Sequence, residues 1–443
     1  MNDGSPPRRR VLAALGAGLT SWLAACVGDG NRPTTAAPTG SPRGTGSPAE
    51  TDATPTGTES AEPEPTPRDE TPTAFVERDG TEFVVDGERY VFSGVANCCL
   101  AEGYTSKSRV DDVLESASTL NADAIRFKIG SAGGESNCAE SVDGCDLSFQ
   151  PEPGTFDESA FRHLDYIVAE AGRRGIRVIL PLVDNWGATG MNQYVDWVED
   201  AGEHADFYAL DRAQELYRGF IEHLLTRTNT ITGREYRGDP TILLWELANE
   251  PRVQADGELL LSWLEESAAF VHELDDDHLV STGSDVFLGT ESPGEFYTRA
   301  HAVDGIDACS IHLWPQNWDM SNPKSFGVEY ITDRTRRGTE DVGKPVYLGE
   351  YGWRVNLQES DAAGQIERRN ELFAEWHDAA LEADIDGIVA WELMSRSRLD
   401  YHRTEPGEGE TVGFVCPGHE GTCSVLRSVA ARVDERSTAD RTE

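Results

Sequence analysis

Basic residues are scarce in this chain. Its 443 residues include 38 Lys and Arg against 79 Asp and Glu, which leaves a formal net charge of −41 at pH 7. A surface of this kind repels nucleic acid and anionic lipid, so neither is expected as a partner. The acidic residues are spread along the whole chain, which favours a solvated surface adapted to high salt. An acidic face that binds cations or basic partners is the alternative.

Two sequence signatures are also missing. No Gly-x-Gly-x-x-Gly turn is present, which argues against a doubly wound nucleotide-binding sheet. No Cys-x-x-Cys pair and no cluster of histidines points to a metal site. The sequence therefore predicts neither a metal nor a cofactor.

The apolar run near the N-terminus is too short to span a membrane. It extends from Val11 to Ala25 and follows three arginines, residues 8–10. This arrangement resembles a twin-arginine export signal, and the Leu-Ala-Ala-Cys sequence that ends at Cys26 resembles a lipobox. The resemblances imply a signal peptide over residues 1–26, export, and a protein held at the cell surface by a lipid on Cys26. A chance cysteine after small residues is the alternative.

Large apolar residues are almost absent from residues 27–73. The segment is rich in Thr, Pro, Ser, Gly and Glu, so it cannot bury enough apolar surface to fold. We expect a disordered linker that holds a folded domain clear of the surface. The composition becomes globular at about residue 74, which predicts a folded domain over residues 74–435 and a polar tail over residues 436–443.

The eight cysteines fit an oxidising exterior. If Cys26 carries a lipid, seven remain, so at least one thiol should be free. Cys138 and Cys145 enclose six residues in a polar, glycine-containing segment, and Cys416 and Cys423 do the same. Both pairs are candidates for short disulfide loops.

Short apolar runs alternate with amphipathic helical patterns after a predicted hairpin at residues 77–88. Eight such runs are present, at Val91–Val95, Ala122–Phe127, Ile176–Leu182, Ile242–Leu247, Leu279–Thr282, Ile306–Ile311, Val346–Gly349 and Ile388–Trp391. Helical periodicity is found between them at Asp157–Arg174, Leu210–Thr226 and Ala363–Ala383. Eight β-runs separated by helices predict an α/β fold, a (β/α)8 TIM barrel with a short N-terminal hairpin. In such a barrel the chemistry lies at the C-terminal ends of the strands.

Two of these predicted strand ends carry an isolated glutamate. Glu250 follows the fourth run in Trp-Glu-Leu-Ala-Asn-Glu-Pro, and Glu350 follows the seventh in Val-Tyr-Leu-Gly-Glu-Tyr-Gly. Strands four and seven would face each other across the barrel mouth, and glycoside hydrolysis requires two carboxyl groups that flank one bond. A salt bridge or a position at a helix N-terminus would also explain either glutamate alone.

The sequences around these glutamates resemble glycoside hydrolase family 5. Asn249-Glu250-Pro251 after strand four and Gly349-Glu350-Tyr351-Gly352 after strand seven resemble the signature of that family. The stretches 226–252, 180–186 and 193–197 resemble its endo-β-1,4-mannanase branch. The similarity extends over about residues 75–395.

The resemblance implies roles for individual residues. Glu250 matches the general acid/base, Glu350 the nucleophile, and Asn249 the residue that hydrogen-bonds the sugar 2-OH. Arg126 matches an arginine whose charge keeps Glu350 ionised, and His312 matches a histidine of the active-site hydrogen-bond network. A surface ion pair is the alternative for Arg126, and a structural role is the alternative for His312.

Ten tryptophans are available to pack against the C–H faces of sugars. Trp391 matches the platform residue of the subsite that carries the scissile sugar. Trp186, Trp318 and Trp353 follow strands three, six and seven, where they would line the cleft as substrate-binding residues or pack in the core.

The chain departs from the family pattern in two places. Trp314 stands two residues after the strand-six histidine, where the family usually has tyrosine, and it offers one N–H donor but no acceptor. The strand-five end, Gly283-Ser284-Asp285, lacks the glutamate expected there. Both departures bear on the substrate preference that the mannanase branch implies.

The resemblance implies a retaining endo-acting glycoside hydrolase that cleaves β-1,4-mannosidic bonds in mannan, glucomannan or galactomannan. We expect a monomer whose partner is a β-linked polysaccharide. A cellulase-like β-1,4-glucanase of the same family is one alternative. A lipoprotein that only binds polysaccharide is another, although the presence of both Glu250 and Glu350 argues against it.

Overall fold

The computed structural model describes residues 70–98, 100–102, 106–133, 147–186, 189–253, 256–284, 293–398 and 410–439. The expected signal peptide, its Cys26 and the candidate pair Cys138 and Cys145 lie outside the described residues. In the part of the chain that the structure describes, none of the helices combines the length and the apolarity that a bilayer crossing requires.

A three-stranded antiparallel sheet begins the folded part, formed by β1 (Glu77–Asp79), β2 (Glu82–Val85) and β3 (Glu88–Arg89). Gly80 and Gly87, with φ of 62° and 79°, lie in the two tight turns that the sequence predicts. The ring of Phe83 lies 6.0 Å from Phe92 and 6.5 Å from Tyr347, which stand near the first residues of two barrel strands. The small sheet therefore packs against the N-terminal end of the barrel.

The central sheet consists of eight parallel strands. They are β4 (Phe92–Ala96), β5 (Ala124–Arg126), β6 (Arg177–Pro181), β7 (Ile242–Glu246), β8 (Leu279–Ser281), β9 (Cys309–Leu313), β10 (Val346–Tyr351) and β12 (Gly387–Ala390). Their order in the sheet is β8-β7-β6-β5-β4-β12-β10-β9. A parallel bridge between Ser281 and Ala308 joins the two outer strands, so the sheet closes on itself. The predicted barrel and all eight predicted strands are confirmed.

Helices connect the strands on the outside of the barrel. They are α1 (Lys107–Thr119), α2 (Glu158–Arg173), α3 (Met191–Asp196), α4 (Asp206–Ala209), α5 (Asp211–Leu225), α6 (Gly257–Leu274), α7 (Pro293–His301), α8 (Pro323–Arg336), α9 (Ala362–Glu382) and α10 (Glu420–Ala439). The three helices predicted from periodicity correspond to α2, α5 and α9. Asp157 caps α2 by accepting a hydrogen bond from the Ser159 backbone N–H at 2.7 Å.

The C-terminal segment lies against the last two strand ends. Two short strands, β11 (Val355–Asn356) and β13 (Glu410–Thr411), pair antiparallel. Cys416 and Cys423 form a disulfide, as predicted. Helix α10 continues past residue 435, where the sequence predicts a polar tail, because Arg436 pairs with Asp384 at 3.0 Å and Ser437 contacts the backbone of Val91 at 3.3 Å.

Candidate active site

The polar residues predicted to act together meet at the C-terminal end of the barrel. Arg126 is the last residue of β5, His312 lies near the end of β9, and Glu350 lies near the end of β10. Glu250 follows β7 by four residues. Parallel strands direct their C-terminal ends to one rim, so residues separated by more than 200 positions along the chain become neighbours.

The two glutamates lie close together around His312. His312 Nδ1 is 2.9 Å from Glu250 Oε1 and 3.6 Å from Glu350 Oε2. One oxygen of each carboxylate and one nitrogen of the histidine lie within 4.8 Å of one another, and all three residues are buried. The two carboxylates are therefore close neighbours, as in retaining glycosidases, whose carboxyl groups lie about 5–5.5 Å apart.

Glu250 has a backbone conformation that is rare for a residue with a side chain. Its φ is 52°, in the left-handed region, which costs on the order of 1–3 kcal/mol for residues other than glycine. Its N–H donates to the carbonyl of Gly283 at 3.0 Å. A Cβ at Gly283 would lie 1.8 Å from the carbonyl oxygen of Ala248. Glycine at the end of β8 therefore permits the close approach of the strand that presents Glu250.

Arg126 is completely buried and connects three acidic or amide side chains. Its Nη1 donates to Glu350 Oε1 at 2.6 Å, and its Nη2 donates to Glu246 Oε2 at 2.7 Å and to Asn249 Oδ1 at 2.8 Å. Burial disfavours the guanidinium cation, but Glu246 and Glu350 outweigh this effect and raise the pKa of Arg126. The residue is therefore a fixed positive charge beside Glu350, not the surface ion pair considered as its alternative.

Glu246 and Tyr347 belong to the same network, although the sequence analysis assigned them no role. The Tyr347 hydroxyl donates to Glu246 Oε1 at 2.7 Å, and Glu246 also accepts from Arg126 Nε at 2.9 Å. The two-residue period of a strand is the sequence signal that could have identified Glu246. It places Glu246 on the same face of β7 as Leu244. Glu246 thereby holds the guanidinium that contacts Glu350.

Trp314 stands beside Glu350, and Trp391 packs against Trp314. Trp314 Nε1 donates to Glu350 Oε2 at 3.0 Å. The rings of Trp314 and Trp391 meet edge to face, with their centroids 6.3 Å apart. Trp391 is half-buried, so part of its ring remains accessible to a ligand. Trp314 therefore contacts Glu350 directly, whereas a platform role for Trp391 stays a prediction.

Trp186 and Arg252 stand beside Glu250 instead. Trp186 Nε1 donates to Glu250 Oε2 at 2.7 Å, and Arg252 Nη2 lies 3.4 Å from the same oxygen. The Arg252 guanidinium lies 5.1 Å from the centre of the Trp186 ring, which is a cation–π distance. Trp186 is 47% exposed, so an aromatic surface lies open next to the carboxylate. Arg252 is a further residue of the site that no sequence motif identified.

The other two candidate tryptophans pack against helices. The Trp318 ring lies 5.8 Å from Phe326 and 5.3 Å from Tyr330, both on α8. Trp353 lies 5.7 Å beneath the guanidinium of Arg368 on α9. Both tryptophans are partly buried against the core, so their described contacts fit the packing alternative better than the cleft-lining one.

Glu250 and Glu350 share one buried site, so the charge of one affects the pKa of the other. Burial opposes the ionisation of Glu250, but Arg252, His312 and Trp186 outweigh it and lower the pKa of Glu250. Burial raises the pKa of Glu350, although His312 and Arg126 act in the opposite direction. Burial also disfavours the His312 cation, but the two carboxylates raise the pKa of His312. The surroundings therefore shift the pKa values of the two glutamates in opposite directions.

The same three residues could in principle coordinate a metal ion. Among the described residues, Glu250, His312 and Glu350 form a group whose ligand atoms lie within 4.8 Å of one another. However, Arg126 and Arg252 already contact the two carboxylates at 2.6 Å and 3.4 Å. Two neighbouring guanidinium groups disfavour a further cation at this place. The arrangement fits a carboxylate pair that handles protons and covalent bonds.

Comparison with known proteins identifies relatives over most of the chain. Residues 73–391 match the protein family described as glycoside hydrolase family 5, β-mannosidase-like. Mannan endo-1,4-beta-mannosidase 3 of Oryza sativa subsp. japonica is 35% identical over 348 residues, which cover 71% of this chain and 72% of the relative. Mannan endo-1,4-beta-mannosidase 2 of Arabidopsis thaliana is 32% identical over 352 residues, which cover 72% and 78%.

A solved structure with a similar fold carries a related name. The X-ray structure of the endo-beta-1,4-mannanase from Thermotoga petrophila superposes with a TM-score of 0.67 at 29% identity. The match covers 79% of this chain and 78% of that protein. The similarity thus includes the whole barrel with the residues at its rim.

Proposed function

Because this chain belongs to glycoside hydrolase family 5, β-mannosidase-like, we propose that it is a retaining endo-β-1,4-mannanase that acts on mannan, glucomannan or galactomannan. Glu250 is the general acid/base and Glu350 the nucleophile. The observation that carries the proposal is the pair of buried carboxylates with oxygens within 4.8 Å of each other at the barrel rim. The names of the relatives supply the β-1,4-mannan substrate and the endo mode of action.

The first step exchanges one bond to the anomeric carbon for another. A Glu350 oxygen forms a bond to C1 of the sugar as the bond from C1 to the glycosidic oxygen breaks, and Glu250 transfers its proton to the departing oxygen. Arg126, at 2.6 Å, and Trp314, at 3.0 Å, both bind Glu350 and hold its lone pair toward the sugar. The product of this step is a glycosyl-enzyme ester on Glu350.

The second step reverses these roles. Glu250, now ionised, removes a proton from a water molecule whose oxygen attacks C1, and the bond between C1 and Glu350 breaks. Glu350 returns as a carboxylate and Glu250 as an acid. Two inversions at C1 give net retention of configuration.

Substrate binding also favours the protonated form of Glu250 that the first step requires. In the free site the pKa of Glu250 is lowered, so Glu250 must gain a proton before it can act as an acid. A sugar chain that lies on Trp186 excludes water from Glu250 and offers it a glycosidic oxygen, and both effects favour the protonated form. Positive charge that develops at C1 favours ionised Glu350 at the same time. His312, which contacts both carboxylates, is placed to pass the proton between them.

The proposal is tested with a panel of polysaccharides. Purified protein is incubated with mannan, glucomannan, cellulose and xylan, and the released reducing ends are measured, with Glu350→Ala as the inactive control. Release from mannan and glucomannan is expected. Preferential release from cellulose would indicate a β-1,4-glucanase, and binding without release from any polymer would indicate a binding protein.

We also propose that the enzyme works outside the cell on a lipid tether at Cys26. The observations behind this are the arginines at residues 8–10, the apolar run to Ala25 and the low-complexity linker that follows. Cys26→Ala should move the protein from the membrane fraction to the medium. If the variant stays with the membrane, the anchor must be elsewhere.

A further inference from the structure

Lys128 and Asp184 form an ion pair at the edge of the site, next to Asn249. Lys128 Nζ lies 2.6 Å from Asp184 Oδ2, and the two side chains are 21% and 15% exposed. Lys128 follows Arg126, the last residue of β5, by two residues, so both lie at the C-terminal rim of the barrel. Asp184 lies three residues beyond the end of β6. The mechanism described above uses neither residue.

The second oxygen of Asp184 contacts the residue that recognises the sugar. Asp184 Oδ1 accepts a hydrogen bond from Asn249 Nδ2 at 2.8 Å. On the opposite side of the amide, Asn249 Oδ1 accepts from Arg126 Nη2 at 2.8 Å. Because Asp184 accepts and Arg126 donates, only one orientation of the Asn249 amide satisfies both neighbours. One N–H of the amide is used by Asp184, and the second remains to donate to a ligand.

The charge of Lys128 maintains this arrangement. An ionised carboxylate can only accept hydrogen bonds, whereas a protonated one can also donate. Lys128 Nζ holds Asp184 Oδ2 at 2.6 Å, so the other oxygen, Oδ1, is turned toward Asn249 Nδ2. Without the ammonium group, only the hydrogen bonds to Oδ1, from Asn249 and from the Trp186 backbone N–H, would orient the carboxylate.

We propose that the Lys128–Asp184 ion pair positions Asn249 so that its second amide N–H meets the 2-hydroxyl of the sugar at the cleavage site. This inference rests on the proposed glycosidase function, in which the hydrogen bond to the 2-OH strengthens in the transition state. Lys128 and Asp184 are positioning residues, because they act on the sugar only through Asn249. Their contribution therefore requires a substrate that carries a 2-hydroxyl.

The test compares two substrates that differ in one hydroxyl. An aryl β-mannobioside and its analogue lacking the 2-OH of the ring next to the aryl group are assayed with wild type, Asp184→Ala, Asp184→Asn and Lys128→Met. On the complete substrate, Asp184→Ala should lower kcat/KM by about 10- to 100-fold, the range for a hydrogen bond to a charged group, with most of the loss in kcat. Asp184→Asn and Lys128→Met should show smaller losses, because an acceptor remains at residue 184. On the 2-deoxy substrate all three variants should stay within about twofold of wild type.

Lys324→Met is the matched control, since it removes an ion pair with Glu375 on the outer helices α8 and α9. It should match wild type on both substrates. Equal losses on both substrates in the Asp184 variants would overturn the inference, because that pattern indicates a general structural role. No loss on either substrate would overturn it as well. Wild type that cleaves no mannose-configured substrate would instead count against the proposed function itself.

Discussion

Trp314 donates its indole N–H to the carboxylate of Glu350 over 3.0 Å. The family resemblance predicts tyrosine at this position. The indole keeps a donor on the nucleophile but cannot accept a hydrogen bond in return. Glu350 is therefore held by Trp314 on one oxygen and by Arg126 on the other.

Removal of the Trp314 hydrogen bond should lower kcat/KM and raise the pKa of Glu350. Trp314→Phe removes a hydrogen bond to a charged group, which is worth about 1.5–3 kcal/mol, so kcat/KM should fall by about 10- to 100-fold. The Trp314 hydrogen bond lowers the pKa of Glu350, so its loss should move the acid limb of the pH profile to higher pH. Trp318→Phe, which changes a ring packed on α8, is the control and should leave both quantities close to wild type. An unshifted acid limb in Trp314→Phe would contradict the assigned contact.

The two glutamates should respond differently to removal. Glu350→Ala should abolish turnover of every substrate, because no group replaces the nucleophile. Glu250→Ala should lose on the order of 10²–10⁴-fold on polysaccharide, since proton transfer is missing. An aryl glycoside whose phenolate leaves unaided should still form the glycosyl-enzyme, which then accumulates.

Azide provides the measurement that separates these roles. As an anionic nucleophile that needs no deprotonation, it should enter the space left by Glu250 and release a β-glycosyl azide with retained configuration. Phenolate release and NMR of the product report the outcome. An α-configured azide from Glu250→Ala, or an inverted sugar from wild type, would overturn the assignment.

Salt should stabilise the fold. The formal charge of −41 causes self-repulsion that opposes compaction, and at molar salt the Debye length shrinks to about 3 Å. The melting temperature at pH 7 should therefore rise from low to molar NaCl. Closer to the sequence pI of about 4.5 the net charge is small, so the same titration should be much shallower there. A flat or falling trend at pH 7 would show that the acidity serves another purpose.

Acid should destabilise the fold partly through His377. Burial lowers the pKa of His377 to about 3, with Arg432 adding to the effect and Asp378 opposing it, and the Tyr351 hydroxyl lies 2.6 Å from His377 Nε2. The unfolded chain gains a proton at this residue below about pH 6.5, whereas the folded chain stays neutral until about pH 3. The free energy of unfolding should therefore fall between these values, by up to about 1.4 kcal/mol per pH unit for this group.

His377→Gln keeps an acceptor for Tyr351 and removes the titration. Urea unfolding between pH 4 and pH 7 should show a shallower dependence on pH in the variant, by about one proton. His301, whose pKa burial also lowers to about 3, should still contribute its own slope. Identical slopes in wild type and variant would mean that His377 is already charged in the folded state.

Much of the fold and the catalytic pair could be predicted from the sequence. Eight apolar runs and the helices between them establish the barrel because strand and helix periodicities are local properties of the chain. The position of Glu250 and Glu350 directly after such runs places them at the rim, since every parallel strand of a barrel ends there. The short spacing of Cys416 and Cys423 was likewise enough to predict their disulfide.

Contacts between distant residues were decided by the tertiary structure alone. Whether Trp186 or Trp318 faces the cleft depends on the path of a loop, and the same residue type after a strand contacts Glu250 in one case and α8 in the other. Lys128 and Asp184 belong to separate strand ends 56 positions apart, and only the pairing of β5 with β6 brings their charges within 2.6 Å. Local sequence sets the direction of a side chain, but the closure of the barrel selects its partner. The sequence therefore determined which residues reach the rim, and the closed barrel decided which of them touch.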